Sequence, residues 1–158
     1  MKRASVKVTW KVGNRTTITD EGSVLTLLAV LTSPSEVEDF IGAEIDILAP
    51  SIGNIHGDYG PKGPQLDYDR LESINKQING RVSLALHGTN DFTEEIMRRC
   101  IDAGALKLNV NKLLLEFWEG HLKENAGLPT MQRMDQGMMI VEDMAKKWMD
   151  ICGSSGKA

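Results

Sequence analysis

Three short apolar runs, at residues 45–49, 82–86 and 106–110, are each followed by a polar loop and then by a stretch of helical periodicity. Strand, loop and helix repeated at this spacing leave few topologies open. A helix that crosses between parallel strands packs back onto the sheet in the right-handed sense, so a parallel α/β sheet is expected. The punctuation agrees. Ser33-Pro34-Ser35-Glu36 is a capping box with proline at the first helical position, and Gly42 is placed to end that helix. Leu66, Leu71, Ile74 and Ile78 fall on or near one helical face, closed by Asn79-Gly80. Asp91-Phe92-Thr93-Glu94 predicts a helix opened by a carboxylate cap and closed by Gly104, and two more helices are predicted at about 112–125 and 131–151.

The first residues follow another style. Val6 to Val12 alternates like a half-exposed strand, Gly13-Asn14 is a turn signal, and Thr16 to Thr19 could pair back as a hairpin. A boundary is expected near residue 25, with an atypical strand or hairpin segment at 1–25 and the βα units at 26–158.

A chain of 158 residues can bury a sizeable core. Its formal charge of −4 provides no basic footprint, so nucleic acid is not an expected partner. No apolar run approaches the roughly 20 residues of a membrane span, and no signal-peptide pattern opens the chain. Cys100 and Cys152 do not read as a disulfide framework, which favours a reducing, cytoplasmic setting.

The chemistry concentrates where the strands end. The loop at residues 50–64, rich in glycine and proline, carries His56-Gly57, and the second apolar run leads directly into His87-Gly88. Loops at the carboxyl ends of parallel strands build sites in βα architectures. Two imidazoles at equivalent strand ends suit a divalent metal such as zinc. A single histidine there could equally be a hydrogen-bonded structural residue. The glycine after each histidine allows close backbone approach and exposes an N–H, which suits phosphate. A helix beginning near Asp91 would turn a positive dipole end to the same rim. Elsewhere bland roles are expected. His121 should be solvated. Met131, Met134, Met138 and Met139, with Trp118 and Trp148, should form helix packing faces, and Asp67, Asp69 and Arg70 should cap and solvate their helix.

At these residues the chain resembles the class II, metal-dependent fructose-bisphosphate aldolases. Gly53-Asn54-Ile55-His56-Gly57-Asp58-Tyr59 is similar to the family's G-x-x-H-G-x-Y segment, with Leu66-Asp67 and Leu71 following its pattern downstream. Leu86-His87-Gly88 resembles its L-H-G-G-S-G segment, and Lys107-Leu108-Asn109-Val110-Asn111 its K-[IVL]-N-[IV]-[DN]-T segment. The closing residues 153–158 resemble the family's C-terminal end, so the resemblance covers about 31–158.

It implies a (β/α)8 TIM barrel and reversible cleavage of a ketose bisphosphate, fructose 1,6-bisphosphate, into dihydroxyacetone phosphate and glyceraldehyde 3-phosphate. Zinc would act as a Lewis acid on the ketone carbonyl. His56 and His87 match two zinc ligands. Gly57, Gly88, Asn109 and Asn111 match positions that hold dihydroxyacetone phosphate, and Asn90 is placed to donate a further hydrogen bond to substrate.

The chain also departs from the pattern. The family's upstream L-D-H segment, with a third zinc histidine and a catalytic aspartate, has no counterpart in it. Lys7, Thr9 and Lys11 stand where an E-x-E-x-G segment would fall. Asp20-Glu21-Gly22 resembles a remnant of the G-G-x-E-D-G loop, which makes Glu21 the catalytic candidate. Thr89-Asn90-Asp91 replaces G-S-G, and Lys112 replaces a phosphate-binding threonine for which it could supply charge instead. Closing eight strands takes about 250 residues, and this chain offers roughly three or four of them. It is therefore expected to be the C-terminal portion of such a barrel, with self-association or a partner supplying the missing half. The alternatives are a non-catalytic barrel remnant that binds a phosphorylated ligand or a partner chain, and a truncated product without a role of its own.

Overall fold

A computed structural model describes residues 8–10 and 31–157. Its described elements are strand β1 (Val8–Trp10), a 3-10 turn (Pro34–Glu36) running into α1 (Val37–Gly42), β2 (Ile47–Ala49), α2 (Tyr68–Ile78), β3 (Ser83–Leu86), α3 (Glu94–Asp102), β4 (Lys107–Leu108), α4 (Lys112–Glu124) and α5 (Thr130–Ile151). The four strands form one parallel sheet in the order β1-β2-β3-β4. Val8 stands opposite Ile47, Ile47 opposite Ser83, and Ala85 opposite Lys107. Spatial order follows chain order, without the reversal that marks a doubly wound sheet.

Local chemistry sets the helix ends. Ser33 and Glu36 make the reciprocal capping box, with Ser33 N–H donating to Glu36 at 2.8 Å. Asn79 and Gly80 both turn left-handed after α2. Asp67 caps α2 by accepting from Arg70 N–H at 2.9 Å, and the Arg70 guanidinium reaches on to the Thr32 carbonyl at 3.1 Å. That side chain is a tie between elements as well as a solvated cap.

The core lies between the sheet and α1, α2 and α3. Leu71, Ile74 and Ile78 of α2 are buried at helical spacing. Leu84, Ala85 and Leu86 of β3 are all buried, as expected of an inner parallel strand covered on both faces. Met97 and Cys100 of α3 and Trp148 and Ile151 of α5 complete this core.

Several expectations are corrected. Val8–Trp10 joins the parallel sheet beside β2. Alternating residues suit a strand in either direction, so the sequence did not reveal its partner. Thr16 to Thr19, Glu21 and the boundary near residue 25 lie outside the described residues. The cap of α3 is Thr93, which accepts from Ile96 N–H, while Asp91 takes a left-handed backbone and pairs elsewhere. His121 is buried: its Nε2 lies 2.8 Å from the Arg133 carbonyl and its Nδ1 3.2 Å from the Asn125 amide. Met131, Met134, Met138 and Met139 are exposed, because α5 turns Gly137 and not its methionines towards Trp118 and His121 of α4. The closeness of that contact requires a glycine. Trp148 is buried as expected, and Trp118 is half-buried.

One exposed ion pair joins α1 to the turn before β3. Arg81 grips Glu38 with both terminal nitrogens, at 2.9 and 2.7 Å, and Gln77 donates to the same carboxylate. The Arg81 hydrogen bond, then that of Gln77, holds the Glu38 carboxyl down at about 2 against an ordinary 4.5. A carboxylate whose pKa falls on folding contributes stability above its unfolded value and loses it as the pH drops through the folded one. Glu38→Gln is therefore expected to flatten the loss of stability between about pH 4.5 and pH 2, read from unfolding midpoints across that range. An unchanged acid limb would show that the pair contributes nothing.

Candidate functional site

Two loops converge at the carboxyl ends of β2 and β3. The first leaves Ala49 and carries His56; the second begins at His87, directly after Leu86. The imidazole rings lie 5.8 Å apart, centroid to centroid, and are inclined by 43°. His87 is 6% exposed, whereas His56 is open to solvent.

Asn54 and Tyr59 hold the loops together. The Asn54 side chain accepts from Ile52 N–H at 2.8 Å and donates to the His87 carbonyl at 3.0 Å. The Tyr59 hydroxyl accepts from Ile55 N–H at 3.1 Å and donates to the Gly88 carbonyl at 2.5 Å. Burial pushes the Tyr59 phenol up to about 12, so it remains a donor at neutral pH. Between them the main chains pack closely. Gly88 is left-handed at φ +69°, and a Cβ there would press into the Ile55 carbonyl. Gly53, at φ +100°, stands in the same relation to the Gln65 carbonyl.

The third strand end supplies Asn109. Its amide nitrogen lies 3.0 Å from His87 Nδ1, while its amide oxygen accepts from the Lys107 ammonium. Lys107 thus turns the NH2 group towards the ring and makes Nδ1 the acceptor, so the ring proton sits on Nε2. Burial, then the charges of Lys107 and His56, pushes the His87 pKa down and favours the neutral imidazole that a metal requires. The Thr89 hydroxyl donates to the Asn109 carbonyl, and the Asn90 amide donates to the Gly57 carbonyl at 3.0 Å. Lys112, at the start of α4, pairs with Asp91 at 3.0 Å.

The structure therefore brings together His56, Gly57, His87, Gly88, Asn90 and Asn109 of the expected set. Asn111 lies at the N-terminal end of α4, exposed and making no side-chain cap. The sequence reading assigned no role to Asn54, Tyr59, Thr89 or Lys107. Their positions within quoted segments hinted at one: Asn54 and Tyr59 stand in the His56 segment, Thr89 follows His87-Gly88, and Lys107 opens the Asn109 segment. Two imidazoles at this separation lie within reach of one ion bound about 2.0–2.1 Å from each ring nitrogen. Among the described residues no group of three His, Cys, Asp or Glu side chains could hold a metal.

A parallel α/β sheet with histidines and amides gathered at its carboxyl rim is the arrangement in which α/β proteins build sites from their βα loops. Residues 8–157 match the family "Fructose-bisphosphate aldolase class-II", and the chain belongs to that family. A Coccidioides immitis (strain RS) protein named "Putative fructose-bisphosphate aldolase" is 43% identical over 133 residues, which are 84% of this chain and 44% of that protein. A crystal structure described as that of "a putative fructose-1,6-biphosphate aldolase from Coccidioides immitis" superposes with a TM-score of 0.75 at 42% identity, covering 80% of this chain and 45% of that one. The YdjI aldolase of Escherichia coli K12 superposes with a TM-score of 0.73 at 28% identity, over 81% of this chain and 48% of its own. A Campylobacter jejuni fructose-bisphosphate aldolase, 16% identical with a TM-score of 0.56, shares the fold. The chain spans less than half the length of these relatives. The match reaches N-terminal of residue 31, where the sequence resemblance was expected to begin, and takes in β1. Among the described residues, no helix is long and apolar enough to cross a membrane.

Proposed function

We propose that this chain is the C-terminal, ligand-carrying part of a zinc-dependent class II aldolase barrel, acting on a ketose bisphosphate such as fructose 1,6-bisphosphate. The observation that supports this best is the placement of His56 and His87, 5.8 Å apart at the carboxyl ends of adjacent parallel strands. The unreversed strand order is that of a barrel segment. Zinc, when bound, supplies Lewis-acid chemistry at a carbonyl.

The chain's own residues prepare the site. His56 and His87 would hold the ion, and the Asn109 amide, fixed by Lys107, would have to release one His87 ring nitrogen for it. Gly57, Gly88 and Asn111 offer main-chain and side-chain donors to the dihydroxyacetone phosphate portion of the substrate. The Asn90 and Asn109 amides do the same from fixed positions. Tyr59 and Asn54 keep the two loops in register without touching substrate. Carboxylate acid–base chemistry falls to Glu21 or to residues contributed by a second polypeptide. The protein is assigned to the cytoplasm, assembled as a homo-oligomer or with a partner that completes the barrel.

Purified chain supplied with zinc and fructose 1,6-bisphosphate tests this reading through coupled detection of triose phosphate. Turnover is expected only when the missing barrel half is supplied in trans. Failure of both arrangements, with zinc-independent binding of a sugar phosphate, would favour a second reading as a non-catalytic remnant. The two-histidine donor set among the described residues is what supports that second reading.

A further inference from the structure

We propose that Lys107 acts through Asn109 as a latch on His87, keeping the metal-free ring closed to an ion until the Lys107–Asn109 hydrogen bond breaks. This inference rests on the metal-binding part of the proposed function. The three side chains form one line of contacts. The Lys107 ammonium donates to Asn109 Oδ1, and the Asn109 amide nitrogen lies 3.0 Å from His87 Nδ1. An ammonium has donors and no acceptor, so it selects the oxygen end of the amide and leaves the NH2 end for the ring. The Thr89 hydroxyl holds the Asn109 carbonyl, which leaves rotation of the Asn109 side chain as the way to open the contact.

Both ways of using His87 meet this arrangement. To ligate through Nδ1, the ring needs the lone pair that the amide occupies, so Asn109 must swing off it and carry Oδ1 away from the ammonium. To ligate through Nε2, the ring must carry its proton on Nδ1, where it faces an NH2 group. The amide must then turn over to offer its oxygen to the ring, which points its NH2 at the Lys107 ammonium, donor against donor. Either route breaks the Lys107–Asn109 bond, whichever nitrogen is used. Lys107 is exposed, so water replaces its lost acceptor, and the latch weakens ion binding by a modest factor without abolishing it. The same ammonium also repels a cation directly. That effect needs no latch and persists without Asn109, so the two are separable.

Zinc affinity of the full chain, measured by competition with a chromophoric chelator at neutral pH, tests this in a double-mutant cycle. Lys107→Met and Asn109→Ala are each expected to bind zinc about fivefold more tightly. In the Asn109→Ala background, Lys107→Met should add less than about twofold, the part due to direct repulsion. Proton–nitrogen correlation spectra of the metal-free chain give a reading independent of zinc. His87 should hold the Nε2–H tautomer in the parent chain and become a mixture of tautomers in both single variants. A full Lys107→Met gain in the absence of Asn109 would reduce Lys107 to a repelling charge and overturn the latch. No gain in either single variant, or unchanged tautomers in both, overturns it as well. Zinc binding indifferent to His56→Ala and His87→Ala would instead remove the metal reading itself, and the latch with it.

Discussion

Gly88→Ala is expected to cost about 3 kcal/mol of folding stability, whereas Gly80→Ala, at nearly the same backbone angle, should cost about 1. Gly88 has φ +69° and Gly80 φ +74°, so the left-handed penalty, roughly 1 kcal/mol, is shared. Their surroundings differ. A Cβ on Gly80 meets open space, while one on Gly88 drives into the Ile55 carbonyl and lies 2.8 Å from its carbon. That neighbour is main chain, so no side-chain rotation relieves the contact and the two loops must part. Parting them removes the Tyr59 bond to the Gly88 carbonyl and the Asn54 bond to the His87 carbonyl, each worth about 1 kcal/mol. Urea midpoints of the two variants provide the comparison, with the His56 and His87 ring resonances reporting on the site. Equal losses in the two variants would remove the close approach from the explanation.

The contrast between these glycines shows what the sequence could and could not reveal. Asn79-Gly80 was legible as a helix stop because its requirement is local: the chain must turn left-handed immediately after Ile78. The need for Gly88 arises from Ile55, thirty-three residues earlier, and no local pattern carries it. The same division runs through the molecule. The Ser33 capping box, the Leu71-Ile74-Ile78 face and three of the four parallel strands follow from short-range periodicity, and the structure bears them out. Pairing partners do not, which is why Val8–Trp10 was legible as a strand while its parallel pairing with β2 was not. Burial on α5 was misjudged for a related reason. Methionine spacing marks a helical face but does not say whether anything covers it, and the packed face of α5 is marked instead by Gly137. His121 looked solvated beside charged neighbours, yet the Arg133 carbonyl from α5 and the neighbouring Asn125 amide satisfy both of its ring nitrogens. At the site, residue types with strong chemical preferences were legible. Their supports Asn54 and Tyr59 bond the main chain of the neighbouring loop, and that became visible only in the fold.

Removing either imidazole is expected to lower zinc affinity on the order of a hundredfold or more, a larger effect than any change around them. In a site built from His56 and His87, each ring supplies half of the protein's nitrogen donors among the described residues. Loss of a residue that only positions a metal ligand typically costs tenfold to a hundredfold, and loss of the ligand itself should exceed that. Asn109→Ala therefore provides the contrast. It leaves both rings in place and frees the His87 Nδ1 lone pair that the amide occupies, so no loss of zinc affinity is expected from it. His121→Ala is the control for histidine content, because that ring is satisfied by Arg133 and Asn125 on the α4–α5 pair. Competition against a chromophoric chelator at neutral pH measures all four variants. Thermal unfolding with and without zinc gives an independent reading, since an ion at a hundred times its dissociation constant stabilises the folded state by about 2.7 kcal/mol. That gain should vanish in His56→Ala and His87→Ala and persist in His121→Ala. Zinc binding that survives loss of His87 would place the metal elsewhere and leave the two strand ends as a phosphate rim alone.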